Sequence, residues 1–345
     1  MPKAQDTSLF DFLMGRGKNG DRAASAGEPA EPILAEKAGR ERPTIGLALG
    51  GGAARGFAHI GIIRTLVAKG FMPDVIAGTS IGAVAGGLYA AGRLDQLEAW
   101  CRTLNRRTVF GYMDFSFSGS GLIRGDRLGE RLGQELGELT IDELPLRFAA
   151  IACEVGTGHE IWLTRGRLVE ALRAAYALPG LFTPVSIGQR WLVDGALVNP
   201  VPVSAARALG ARLVIAVNLN ADLFGRGTTI SSFGPDEPDE GWLQTIRQRH
   251  GFEGLAAAQH LVKRQMLGTS ERPGIATVMV EAFNIMQDRI TRARLAGDPP
   301  DIIVNPPLSS IGWFDFHRAA DAIEIGAAAA EKALEPIEQA VAALA

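Results

Sequence analysis

Cysteine is scarce in this chain. Its two residues, Cys101 and Cys153, stand far apart and form no CxxC pair. That excludes a disulfide framework and a cysteine zinc cluster, and reads as two buried thiols in a reducing compartment. A basic excess is also missing. The 35 Lys and Arg are outnumbered by 38 Asp and Glu, and the formal net charge is -3. Nucleic-acid binding asks for a basic face, so no nucleic-acid partner is expected. Aromatics amount to 7%. No run of about 18 uncharged apolar residues occurs, so no membrane-spanning helix is expected. Leu9 to Met14 (LFDFLM) is apolar, but Asp11 interrupts it and Arg16 and Lys18 follow. It is too short for the apolar core of a secretory signal. The reading is a cytoplasmic protein, with peripheral contact at the inner membrane face left open.

Glycine and small apolar residues are abundant. The chain has 42 glycines in 345 residues, and 47% of it is hydrophobic. Such a chain packs helices and strands closely. Residues 1–42 mix Gly, Ala, Glu, Lys and Arg without periodicity and read as a flexible tail. From Thr44 a regular alternation begins. TIGLAL is a strand, and Arg55 to Lys69 has helical spacing with Phe57, Ile60, Ile63, Leu66 and Val67 on one side. Asp74 to Ala77 is a short strand, and a helix follows Ser80. Strands are expected at Arg147–Val155, Glu160–Leu163, Arg190–Val193, Arg212–Asn218 and Ile302–Val304. Helices are expected at Leu94–Leu104, Arg124–Leu136, Leu168–Ala177, Val203–Leu209 and Phe316–Leu344. Strand–loop–helix repetition is the signature of α/β architecture with a mainly parallel sheet. The core is placed at 43–220. A variable, lid-like segment is placed at 221–270, and 271–345 adds C-terminal helices and the last strand. In the lid-like segment Trp242, Ile246, Phe252, Leu255 and Leu261 can share an apolar face near Arg247, Arg249, Lys263 and Arg264. Such a segment suits an anionic lipid surface, and equally suits packing on the core.

Two glycine loops stand at strand–helix junctions. The first is Gly50-Gly51-Gly52-Ala53-Ala54-Arg55-Gly56. Consecutive backbone N–H groups ahead of a helix make an anion site. A P-loop needs Lys-Ser/Thr after the second glycine, and Phe57-Ala58 stands there instead. A dinucleotide fingerprint needs a different glycine spacing and an acid at the end of the second strand, whereas Asp74 begins that strand. An oxyanion hole is the remaining candidate. The second loop, Gly78-Thr79-Ser80-Ile81-Gly82, is Gly-x-Ser-x-Gly in the context of a nucleophile elbow. A serine on a strained turn with an exposed hydroxyl leaves no room for side chains two residues away on either side.

A serine nucleophile needs a base. His250, His260 and His317 follow Ser80 in the order an α/β-hydrolase uses, but none stands in a clear loop after a strand. His59 precedes Ser80, and His159 sits in GTGH. Asp194, in Trp191-Leu192-Val193-Asp194-Gly195-Ala196, is the other candidate. It ends an apolar strand, a position that fits a base and equally fits an acid shaping the turn before Gly195.

Together, LALGGGAARGFAHIGIIRTL, DVIAGTSIGAVAGGLYAAG and VDGALVNPVPV resemble the patatin-like phospholipases, in particular bacterial members. The likeness runs from about Ile45 to Leu219, and Pro299 to Gly326 is similar to the C-terminal part of those members. The resemblance implies a patatin-like three-layer α/β/α fold with a Ser–Asp dyad. It implies Ser80 as nucleophile, Asp194 as base and oxyanion donors at Gly51, Gly52 and Ala53. Arg55 would anchor the loop, and Gly56, Gly78, Gly82 and Gly195 belong to the motifs. Ala53 replaces a glycine of the family's run, which raises the question of a positive φ there. No metal or other cofactor is implied. The implied reaction is hydrolysis of a lipid or acyl-ester substrate through an acyl-enzyme, of phospholipase A or lysophospholipase type. An acyltransferase or thioesterase using the same serine is the alternative, as is a non-catalytic lipid-binding protein. Burial of Asp194 beside Trp191 and Val193 is expected to raise its pKa.

Overall fold

The computed structural model describes residues 42–112, 121–223 and 275–345, all within the unit Glu41–Ala345. The flexible tail placed at 1–42 and nearly all of the lid-like segment lie outside the described residues. So do His250 and His260. In chain order the elements begin with β1 (Ile45–Leu49), α1 (Ala58–Ala68), β2 (Val75–Thr79), α2 (Ile81–Ala90), α3 (Leu94–Thr103) and α4 (Arg106–Tyr112). Next come β3 (Gly121–Ile123), α5 (Asp126–Leu136), β4 (Arg147–Glu154), β5 (Glu160–Leu163), α6 (Leu168–Ala175), β6 (Gly180–Phe182), β7 (Val185–Ile187) and β8 (Arg190–Asp194). The chain closes with α7 (Val203–Ala208), β9 (Leu213–Val217), α8 (Ile275–Gly297), β10 (Ile302–Val304) and α9 (Ala319–Leu344).

The main sheet runs β10-β9-β1-β2-β4-β8-β7, with β5 paired to β4. Its first five strands are parallel. β8 lies antiparallel to β4, β7 antiparallel to β8, and β5 antiparallel to β4. A separate parallel pair joins β3 to β6.

Side-chain alternation assigns the two faces. Ile45, Leu47, Leu49, Ile76, Phe148, Leu213, Ile215 and Val217 face one layer, built from α1, α2, α3, α6 and α9. Ala48, Val75, Ala77, Ala149, Val214 and Ala216 face the other, against Val203, Ala205 and Ala206 of α7 and Leu295 of α8. Bulky residues thus point to the thick layer and small ones to the thin layer, which lets α7 lie close to the strands. Each buried Ile or Leu contributes about 1.5–3 kcal/mol. The α1–α9 crossing depends on small residues. A Cβ on Gly61 would lie 2.0 Å from the Ile323 carbonyl oxygen, and one on Gly326 would lie 2.1 Å from that of Ala58.

Candidate active site

Strand register brings Ser80 and Asp194 level. Thr79 pairs with Ile151 on β4, and the next β4 residue, Ala152, pairs with Asp194. Both candidates therefore leave their strands at one height, on either side of β4. Ser80 occupies a sharp turn with φ 55 and ψ -127 before α2. A positive φ in a non-glycine residue marks stored strain. The turn is held from below: the Thr79 hydroxyl donates to the Asn199 carbonyl at 2.8 Å. A Cβ on Gly82 would sit 2.2 Å from the Leu49 carbonyl oxygen, and one on Gly78 would sit 2.5 Å from the Ala83 Cα. The two glycines are therefore demanded by packing at the ends of β1 and α2.

Asp194 is 2% exposed. The Ser80 hydroxyl lies beside its carboxylate, and the Ala196 N–H donates to it at 2.8 Å. Burial raises the Asp194 pKa to about 7, against the opposing pull of Ser80 and the Ala196 N–H. Trp191 is not the cause, because it is 57% exposed. Asp194 stands three residues further along β8, where the strand turns inward, and its own N–H donates to the Ala177 carbonyl at 2.9 Å. Gly195 follows because a Cβ there would meet the Ile151 carbonyl oxygen at 2.3 Å.

The first glycine loop is tied down almost completely. Gly50 N–H donates to Val217 and Gly51 N–H to Pro200, each at 3.1 Å. Ala54 N–H donates to Trp313 and Arg55 N–H to Gly52, each at 3.2 Å. Among the described residues, the N–H groups of Gly52 and Ala53 meet no acceptor. Gly51, expected as a donor, has its N–H committed to Pro200. A Cβ there would make ordinary contact with the Ser80 Cβ, at 3.4 Å. Ala53 does take a positive φ, 51. Gly56 makes room for Ile81, whose Cγ2 would stand 2.1 Å from an added Cβ.

Arg55 is fully buried. Its Nε donates to the Ile311 carbonyl at 2.8 Å and its Nη1 to Asn220 Oδ1 at 3.3 Å. Asn220 in turn donates to the Gly51 carbonyl at 3.3 Å and to Gln287 Oε1 at 3.0 Å. His59 is buried, with Nε2 2.8 Å from the Gly50 carbonyl. Burial lowers its pKa to about 4, so it is neutral at pH 7 and donates that bond. Asn220, Gln287 and His59 were not anticipated as parts of the site. Asn220 carried one available signal, its place just past the carboxyl end of a central strand, where α/β sites gather.

None of the described histidines pairs with Ser80. His159 is exposed with Nδ1 3.9 Å from Glu154, and His317 Nδ1 lies 3.9 Å from Asp315. Ser80, Asp194, Gly52 and Ala53 open into a cleft walled by Phe57, Val84, Leu97, Leu132, Leu178, Trp313 and other apolar side chains. Among the described residues, no helix is long and apolar enough to cross a membrane.

Comparison with known proteins places the chain in a family. The family model "Patatin-like phospholipase" matches residues 47–207. An uncharacterized NTE family protein of Mycobacterium tuberculosis is 31% identical over 347 residues, covering 89% of this chain and 96% of its own length. Lysophospholipase NTE1 of Pyricularia oryzae is 25% identical over 301 residues, covering 82% of this chain and 18% of that protein. The solved structure of VipD from Legionella pneumophila aligns with a TM-score of 0.43 and 11% identity, over 86% of this chain and 67% of that one. By its sequence relationships, this chain belongs to the patatin-like phospholipase family.

Proposed function

We propose that the protein is a serine lipid acyl hydrolase of phospholipase A or lysophospholipase type. The observation that carries this reading is the strained Ser80 beside the buried Asp194 carboxylate, both lining one apolar cleft. Family membership and the likeness to a lysophospholipase support it. The acyl chain lies along the apolar wall. Ser80 Oγ attacks the ester carbonyl carbon as its proton passes to the Asp194 carboxylate. The N–H groups of Gly52 and Ala53 hold the oxyanion. The C–O bond to the alcohol then breaks, and the Asp194 carboxyl returns its proton to the departing alkoxide. Water, deprotonated by Asp194, opens the acyl-enzyme and releases the fatty acid. A pKa near 7 suits an acid–base group that must both take and return a proton. Each oxyanion donor contributes about 3–4 kcal/mol to such a transition state.

The test is release of fatty acid from a 1-acyl lysophospholipid. The native chain is expected to release it, with Ser80→Ala and Asp194→Asn reduced to background. A chain lacking His250, His260 and His317 is expected to retain the activity. Loss in that histidine variant would turn the assignment toward a Ser–His acyltransferase or thioesterase. No hydrolysis by the folded native chain would leave a lipid-binding role.

A further inference from the structure

The strands that carry Ser80 and Asp194 are not neighbours in the sheet, because β4 lies between β2 and β8. No strand pairing joins them directly. The chain after Asp194 bridges the gap instead. Gly195 sits against β4, where an added Cβ would lie 2.3 Å from the Ile151 carbonyl oxygen. The N–H groups of Val198 and Asn199 both donate to the Gly195 carbonyl, at 3.0 and 2.8 Å. Two successive carbonyls then reach the other parts of the site. That of Asn199 accepts the hydroxyl of Thr79, the residue before Ser80, at 2.8 Å. That of Pro200 accepts the N–H of Gly51, the residue before Gly52, at 3.1 Å. One short segment thus holds the base, the elbow and the donor loop together.

The Asn199 side chain anchors that segment. Asn199 is fully buried. Its Nδ2 donates to Glu160 Oε1 at 2.6 Å, and more weakly to Ser204 Oγ at 3.4 Å. Trp162 Nε1 donates to the same Glu160 oxygen at 2.7 Å, and Arg294 Nη2 donates to Oε2. Indole and guanidinium groups have only donors. A carboxylate flanked by them accepts, so the Asn199 atom facing it is the nitrogen. From α8, Arg294 Nε also donates to the Val198 carbonyl at 2.9 Å. Among the described residues Asn199 Oδ1 meets no donor. A buried oxygen left unpaired costs stability, so what this amide contributes is the hold of its nitrogen on Glu160.

We propose that Asn199 is a positioning residue: anchored on Glu160, it holds the peptide that sets Ser80, Asp194 and the Gly52–Ala53 donors in register with one another. It touches no reacting atom and acts through Thr79 and Gly51. This inference rests on the acyl hydrolase reading, in which Ser80 is the nucleophile.

The test reads the rate at which a fluorophosphonate labels Ser80, with urea unfolding followed in parallel. Asn199→Asp keeps the shape of the side chain but turns a carboxylate toward Glu160 in place of the donor. While folded, it is expected to label roughly ten- to a hundredfold more slowly, the effect of a small misplacement at a reacting centre. Adding Glu160→Gln puts a donor opposite that carboxylate and is expected to recover much of the loss. Thr79→Val deletes the hydroxyl that Asn199 holds and is expected to slow labelling to a similar degree. Thr79→Ser, which restores a hydroxyl, is expected to recover most of it. A purely structural Asn199 would lower the urea midpoint and leave the folded protein labelling at the native rate, which overturns the proposal. A double variant no faster than Asn199→Asp alone overturns it too. If Asn199→Asp does not fold, Thr79→Val decides, and the native rate there overturns the proposal. Variants that match a labelling native protein overturn this inference alone. A folded native protein that does not label overturns the hydrolase reading with it.

Discussion

Ser80 and Ala53 both hold backbone conformations that their side chains disfavour, with φ 55 and 51. The two differ in what strain accomplishes. At Ser80 the turn presents the hydroxyl to Asp194. At Ala53 the proposed role uses only the N–H, so the methyl adds cost without an evident gain. A left-handed alanine costs about 1–2 kcal/mol, and a glycine gives back about 0.5–1 kcal/mol in backbone entropy. Ala53→Gly is therefore expected to raise stability by about 0.5–1 kcal/mol in urea unfolding, with hydrolysis retained. A drop in stability would contradict the conformation assigned to the loop. The sequence showed that an alanine stood where the family runs glycine. It did not show that the position takes a positive φ, because the backbone path of a loop leaves no mark in the local pattern of residues.

At the scale of elements, close packing of small residues organises the parts that carry chemistry. An extra methyl at the α1–α9 crossing has nowhere to go, since it would meet backbone at 2.0 Å. Gly61→Ala is expected to cost about 3 kcal/mol or more, as overpacking against rigid backbone does, read as a lowered urea midpoint. Unchanged stability would mean that the two helices do not approach so closely. Most of the sheet and its helices were legible because buried parallel strands read as apolar runs and their connections carry helical spacing. The expected strand at Asp74–Ala77 runs instead from Val75 to Thr79, because the sheet needs Gly78 and Thr79 to carry the chain to the elbow. The three-residue strands β3, β6 and β7 leave too little pattern to detect. Helix α8 lies within the C-terminal helices placed at 271–345, but its bounds were not legible for a different reason. It buries Asn284, Gln287, Asp288 and Thr291 and exposes Val278, Met279, Ile285 and Met286. Phe283 and Leu295 also pack inward, so its inward face mixes polar and apolar residues and shows no apolar stripe. That mixed face carries Gln287 to the cleft.

Across the whole molecule, two buried titratable groups oppose each other. Folding raises the pKa of Asp194 to about 7 from 3.8 and lowers that of His59 to about 4 from 6.5. Between about pH 4 and 6.5 the folded protein keeps the proton on Asp194 and none on His59. The unfolded chain holds the reverse. For Asp194 alone the folded state binds more protons, so stability falls as pH rises through this window. For His59 alone it binds fewer, so stability rises with pH. The two effects cancel, each worth up to about 1.4 kcal/mol per pH unit. Relative to the native chain, Asp194→Asn is expected to gain stability as pH rises from 4.5 to 6.5, and His59→Gln to lose it. Urea unfolding at the two pH values measures both. Matching slopes in the two variants would contradict the exchange. In the proposed mechanism the Asp194 half of this balance is also the functional half, because a base that ionises near pH 7 does so at a cost to the fold.

The central claim, that Asp194 takes the proton from Ser80, is tested most directly by the pH dependence of covalent labelling with a fluorophosphonate. The native protein is expected to react at Ser80 at a rate that climbs with pH and levels off above about 7. Asp194→Asn is expected to react roughly 10²–10⁴-fold more slowly, the usual contribution of a general base, and to lose that inflection. Labelling of Asp194→Asn at the native rate, or with the inflection intact, would contradict the dyad.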